Sequence, residues 1–458
     1  MTPDPTRSAA RIAIIGPTHP YKGGIAQHTT ELAHRLADRG HQVRIESWSR
    51  QYPARLYPGQ QRVAVPEGTP FPATSYPLSW RRPDTWLRLG RQLRPTGTAP
   101  ADGPGAERPD VDGQGVNGQR AGGQGVGGQG VNGRGVDGRG VDLVVLVVVT
   151  PIQAPAYLAI LAGLRGRRRR SPTVLALCHN VLPHERRSVD QPLISAVLRR
   201  SSAVLVHTQA QAELAGTLTD VPVRVAEMAT HLWTPPDSDS EADPVLDSDS
   251  DSDPGLGPAA GIAVPAAAVA VPEPSRELLF FGLVRPYKGL DVLLRALTAG
   301  PADVRLTVAG EFWGGVEATR DLVAELGLGD RVDLRPGYVP ARDVPGLFAA
   351  ADALVLPYRA GTASQNVDLA HLHGLPVVAT SVGTLATSVR DGVDGLLVPP
   401  DDPTALAAAL RRLYEPGTLA ALRAAVAPPD TDAAWDRYLD VVLAPSGADR
   451  AGKADCAP

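Results

Sequence analysis

Residues 277–290 read ELLFFGLVRPYKGL: an apolar run of strand length, a break at Gly282, then Arg285 and Lys288, and a glycine before a helical pattern that begins at Leu290. Residues 11–24, RIAIIGPTHPYKGG, repeat that layout near the start of the chain. Pro-Tyr-Lys-Gly therefore occurs twice, at 20–23 and 286–289, each time after the first strand of a block. Short continuous apolar strands alternating with helices belong to parallel sheets covered on both faces. Further strands are expected at 42–46, 143–149, 174–178 and 203–206 in the first block, and at 305–308, 333–334, 353–356 and 377–379 in the second. The fold class is thus α/β, with two facing doubly wound parallel-sheet domains. Such sheets take ligands at the carboxyl ends of their strands, so a cleft between the two is the expected site.

The 458 residues suit two domains. The first is expected over 1–234 and the second over 276–430, with a helix at 431–445 returning to the first and a tail at 446–458. Two stretches fall outside this pattern. Residues 113–142 divide into six glycine-rich pentapeptides within an insertion over about 96–142, and 235–275 is an acidic, then Ala/Pro-rich, linker. Neither holds enough large apolar side chains to bury a core. Asp249-Ser250-Asp251 matches an Asp-x-Asp metal pattern, but alternating Asp and Ser produce that match without selection for it. No metal site is read there.

Net charge is −4, which gives no sign of a nucleic-acid binder. Eight acids fall within 237–253, so the rest of the chain is mildly basic. Of 45 basic residues only Lys22, Lys288 and Lys453 are lysine. Cys178 and Cys456 are too few and too far apart for a disulfide framework. Residues 143–164 carry no charge and precede arginines at 165 and 167–170, like a membrane span with a basic flank. Pro151, Gln153 and Pro155 interrupt the run, which favours a buried strand, a loop and a helix. The N-terminus has no long apolar stretch of the signal-peptide kind, so a cytoplasmic enzyme is the default expectation.

Glycines at a strand-to-helix turn let backbone N–H groups approach an anion, which makes Lys22, Gly23 and Gly24 candidate binding residues. Arg285 and Lys288, three apart in the second loop, suit a diphosphate clamp: one bidentate guanidinium and one point charge. The turn at 361–366 offers backbone donors to phosphate or, equally, an ordinary helix cap at Ser364.

Taken together, Gly23-Gly24 followed by His28, FFGLVRPYKG at 280–289, GYVP at 337–340, ADALVLPY at 351–358 and GLPVVATSVGTLATSVRDGVDGLLVPPDD at 374–402 resemble the retaining glycosyltransferases of GT-B fold, the sucrose-synthase and mannosyltransferase-like group 1 family. The resemblance implies a nucleotide-diphosphate-sugar donor on the second domain and an acceptor, lipid-linked, polysaccharide or small, on the first. It implies no metal and no other cofactor. Carried over by position, Arg285 and Lys288 hold the diphosphate, and Ser364, Gln365 and Asn366 receive it through backbone. The Gly337–Val339 turn meets the base, His179 touches the transferred sugar, and His28 joins Lys22, Gly23 and Gly24 among the expected substrate-binding residues. His207 reads as structural. The basic residues at 165–170 suit peripheral contact with an anionic membrane face, or a solvated helix end.

One departure stands out. Where the family carries two glutamates eight apart, this chain has Gly361 and Leu369, with Asp368 adjacent but about 100° away around a helix. A degenerate nucleotide-sugar-binding protein and a sugar-nucleotide epimerase of related fold are the alternatives.

Overall fold

The computed structural model describes residues 9–51, 62–63, 68–95, 140–165, 171–183, 187–230, 274–361 and 365–445, and every count or absence below refers to them. The insertion at 96–142, the linker at 235–275 and the tail at 446–458 lie outside the described residues except at 140–142 and 274–275. Ser364 and the arginines at 167–170 are outside them too.

The first sheet has seven parallel strands: β1 (Arg11–Ile15), β2 (Gln42–Arg50), β3 (Thr74–Ser79), β4 (Leu143–Val148), β5 (Thr173–Cys178), β6 (Ala203–Val206) and β7 (Val223–Val225). Helices α1 (Gly24–Asp38), α2 (Pro83–Gln92), α3 (Ala154–Leu164), α4 (Asp190–Leu198) and α5 (Gln209–Leu218) accompany them. The second sheet has six: β8 (Glu277–Phe281), β9 (Arg305–Gly310), β10 (Val332–Pro336), β11 (Ala353–Leu356), β12 (Val377–Thr380) and β13 (Gly395–Val398). Its helices are α6 (Leu290–Ala299), α7 (Glu317–Glu325), α8 (Val344–Ala349), α9 (Asn366–Leu372), α10 (Leu385–Ser388), α11 (Pro403–Leu413) and α12 (Thr418–Ala425), and the chain closes with α13 (Thr431–Val442).

Strand order is β3-β2-β1-β4-β5-β6-β7 in one sheet and β10-β9-β8-β11-β12-β13 in the other. Each order reverses beside its first strand, at β1/β4 and at β8/β11. Loops that leave neighbouring strands toward opposite faces open a crevice at such a reversal. The two Pro-Tyr-Lys-Gly loops leave β1 and β8, so both lie at a reversal point. The uncharged run at 143–164 is β4, a 3-10 turn over Pro151–Gln153, and α3. No described helix is long and apolar enough to cross a membrane.

The edge strands β3, β7 and β13 were not anticipated. β3 contains Pro77, which a central strand could not accommodate but an edge strand can, and β7 is only three residues long. β2 also runs four residues beyond the expected end at Glu46. Cys178 is buried in the first core, and burial pushes its thiol up to about 12, so it is an inert packing group.

α13 packs on the first sheet, not on the second from which it follows. Trp435, Tyr438, Leu439 and Val442 join Ile12, Ile14, Leu32 and Ile45 in one apolar cluster. Arg39 reaches Asp436 at 2.7 Å and Asp440 at 2.9 Å at the rim. Those pairs are exposed and add little beside the buried indole. Trp435 Nε1 donates to the Thr230 carbonyl at 2.8 Å. Trp435→Ala should cost about 3–5 kcal/mol by cavity formation, and Trp435→Phe about 1 kcal/mol for the lost hydrogen bond. Urea unfolding followed by circular dichroism measures both.

Candidate active site

The second reversal point is built around Gly289. Its φ is 66°, and a Cβ there would lie 2.0 Å from the Pro357 carbonyl oxygen. Only glycine lets the β8–α6 loop press against the residues after β11. Arg359 then fixes the loop from outside. Its backbone N–H donates to the Tyr287 carbonyl at 2.7 Å and its guanidinium to the Pro286 carbonyl at 2.8 Å. The same guanidinium grips Asp291 at 2.6 and 2.8 Å and also pairs with Asp401. The hydrogen bonds to Asp291 hold Arg359 well above the ordinary arginine range. Pro286–Lys288 is therefore a clamped turn.

Lys288 lies half-buried, with Nζ 5.0 Å from the centre of the Tyr358 ring. Desolvation opposes its charge, yet Tyr358 and Tyr287 outweigh it and raise the ammonium above its usual value. Arg285 stacks over Trp313, its guanidinium carbon 4.0 Å from the ring centre. The buried Nε of Arg285 has no hydrogen-bond partner among the described residues. Asn366, at the start of α9, donates to the Phe281 carbonyl at 3.1 Å and lies 3.4 Å from the Tyr358 hydroxyl. Arg285, Lys288 and Asn366 thus converge from two neighbouring loops. Gly337, with φ 136°, is exposed, and it lines a groove of about 920 Å³ with Tyr338, Val339, Arg335 and Arg342.

The first domain comes close to this set. Arg285 lines a cavity of about 300 Å³ with Val148, Thr150, Pro151, Asn180 and Val181, at the carboxyl ends of β4 and β5. Gln365 donates to the Ala229 carbonyl at 3.1 Å. Lys22, for which the sequence suggested no partner, forms an ion pair with Glu311 of the second domain, and its Nζ lies 5.3 Å from the centre of the Tyr338 ring. Gly23 has φ 98°, and a methyl on its Cα would meet nothing within 4 Å, so backbone conformation alone requires glycine there, next to the exposed Gly24.

His179 is half-buried at the end of β5. His28 is fully buried, its ring 4.9 Å from that of His179, 5.3 Å from Trp435 and 5.2 Å from Tyr438. The structure therefore places His28 beneath His179, packed among rings. His207 Nε2 lies 3.2 Å from His179 Nδ1, and His207 Nδ1 lies 3.1 Å from the Ala226 carbonyl. These histidines are not arranged to hold a metal ion.

Leu369 is buried in the second core, and Gly361 has no side chain to offer. Asp368 does not stand in for the glutamates. It accepts a 2.6 Å hydrogen bond from Thr230 of the first domain, and burial holds its carboxyl above the usual range. Sequence reasoning missed Glu311, Trp313, Arg359 and Thr230. The signal for the first two was slight: a glycine-rich GEFWGG at 310–315 directly after a strand.

Residues 275–416 match the family described as Glycosyl transferases group 1. D-inositol 3-phosphate glycosyltransferase 1 of Catenulispora acidiphila is 35% identical over 190 residues, which is 39% of this chain and 45% of that protein. The chain thus spans less than half the length of that relative. Among solved structures, sucrose-phosphate synthase from Thermosynechococcus elongatus superposes with a TM-score of 0.58 at 18% identity, covering 93% of this chain and 95% of that one. Anabaena Alr3699/HepE in complex with UDP-glucose gives 0.55 at 14%, covering 94% and 96%. The architecture is GT-B.

Burial pushes His207 down to about 4, against a value of 6.5 when exposed. Unfolded chain therefore takes up a proton that the folded ring refuses. The His207 contribution is intact above pH 6.5 and is lost as pH falls toward 4, about 3 kcal/mol in all. Urea midpoints measured across that window should decline, and the decline should be shallower in His207→Phe.

Proposed function

We propose, from the premise of a GT-B chain whose second domain is a group 1 glycosyl transferase domain, that this protein is a retaining, metal-independent glycosyltransferase using a nucleotide-diphosphate-sugar. The observation that carries the proposal is the convergence of Arg285, Lys288 and Asn366 at one reversal point, with Arg285 facing the strand ends of the other domain. Two fixed cations within a clamped turn suit a diphosphate, which gains negative charge as it leaves.

In the proposed reaction the bond from the anomeric carbon to the phosphate oxygen breaks through an oxocarbenium-like transition state. Arg285 and Lys288 stabilise the departing diphosphate. The acceptor hydroxyl attacks from the face the diphosphate leaves, and its proton passes to the leaving phosphate oxygen, so the anomeric configuration is kept. His179 orients the sugar, the Gly337–Val339 turn meets the base, and the backbone at Ser364, Gln365 and Asn366 meets the phosphates. Gly23 and Gly24 face the acceptor. Cross-cleft contacts such as Lys22 with Glu311 keep water from the reacting carbon. A cytoplasmic setting, with peripheral contact at the inner membrane face, accords with a lipid-linked acceptor.

A second reading, a binding protein without turnover, draws support from Gly361 and the buried Leu369. The two are separated by a panel of nucleotide sugars. Arg285→Ala and Lys288→Ala should each lower turnover of the accepted donor by on the order of 100-fold, and the product anomer should match the donor by NMR. Binding by calorimetry with neither transfer nor hydrolysis would select the second reading.

A further inference from the structure

The histidine chain beneath the cleft has a definite proton order. The Ala226 carbonyl can only accept, so His207 Nδ1, 3.1 Å away, carries the hydrogen. His207 is 5% exposed, and burial holds it neutral, so its Nε2 presents a lone pair. The nitrogen 3.2 Å from that lone pair is His179 Nδ1, which must then donate. A neutral His179 ordered in this way keeps an unprotonated Nε2. Around the pair, Tyr438 stacks on His207 at 5.9 Å, and the His28 ring lies 6.1 Å from it.

We infer that His207 is a positioning residue that fixes the tautomer of His179, leaving Nε2 as a hydrogen-bond acceptor, so that His179 takes a hydrogen bond from a sugar hydroxyl and does not give one. The tautomer order stands on the two contacts of a buried, neutral His207, while the sugar hydroxyl rests on the glycosyl-transfer reading. His179 Nε2 is closed to solvent, so the inferred sugar contact requires the His179 ring to become exposed as the donor binds. An imidazole held in one tautomer offers the incoming hydroxyl a single polarity, whereas a freely exchanging ring presents the correct one only part of the time.

The test uses the full chain labelled with 15N-histidine, read at pH 8 by long-range proton–nitrogen correlation and assigned through His179→Gln and His207→Phe. Expected are protonated Nδ1 and bare Nε2 on both His179 and His207. In His207→Phe, which keeps a ring in the core, the His179 pattern should move to Nε2–H or to an exchanging mixture. His207→Asn, which keeps a donor for Ala226 but is too short to reach His179, should do the same. With UDP-glucose as the probe donor, both variants should lose on the order of tenfold in kcat with KM little changed.

An Nε2–H signal on either ring of the native chain overturns the inference, as does an unaltered His179 pattern in both variants. Should His207→Phe not fold, the native spectrum alone decides the tautomer order. Native tautomers as expected in a chain that turns over no nucleotide sugar would refute the glycosyl-transfer reading and leave the proton order standing.

Discussion

Thr230 holds three parts of the molecule at one point. Its carbonyl accepts from the Trp435 indole at 2.8 Å, and its hydroxyl donates to Asp368 at 2.6 Å. Trp435 belongs to the closing helix and Asp368 to α9, the short helix that starts beside the proposed diphosphate site. A half-buried carboxyl held above its usual range and a fully buried indole N–H both need a partner, and one residue serves both. The neighbouring Ala229 carbonyl takes the Gln365 amide. The end of the first domain is thereby tied to the start of α9, and the placement of the cleft walls follows from that tie.

The repeated Pro-Tyr-Lys-Gly loops show how one motif yields two results. In the second domain Gly289 permits contact with the Pro357 carbonyl, Arg359 locks the turn, and Lys288 stays within its own domain. In the first, Gly23 supplies conformation without close contact, and Lys22 extends to Glu311 and Tyr338. The same four residues therefore build the clamped turn of the proposed diphosphate site on one wall and a cross-cleft fastener on the other. What differs is the neighbour that the topology brings to each loop.

Much of the architecture was legible because continuous apolar runs such as 278–281 and 143–148 suit few structures other than buried parallel strands. The reversal-point loops were legible for a related reason, since glycine and lysine are conspicuous in a chain that otherwise uses arginine. The residues that escaped are those whose role depends on a partner distant in sequence. Glu311 is one acid among 49 until Lys22 is seen beside it. His28 is expected among the substrate-binding residues, and the packing that buries it among His179, Trp435 and Tyr438 could not be read from the sequence. Edge strands β3 and β7 escaped because an edge strand is buried less completely and tolerates proline, which erases the apolar signature.

The scarcity of lysine has a practical side. The two lysines whose surroundings are described, Lys22 and Lys288, both lie in the cleft, and the Lys22 side chain is only 4% exposed. Lys453 falls in the terminal stretch outside the described residues. An amine-directed acylating reagent therefore finds almost no lysine on the outer surface of the folded domains. Its rate of attack on Lys22 is set by how often the Glu311 pair separates. The chain carries in its own composition a chemical clock for the breathing of its two halves.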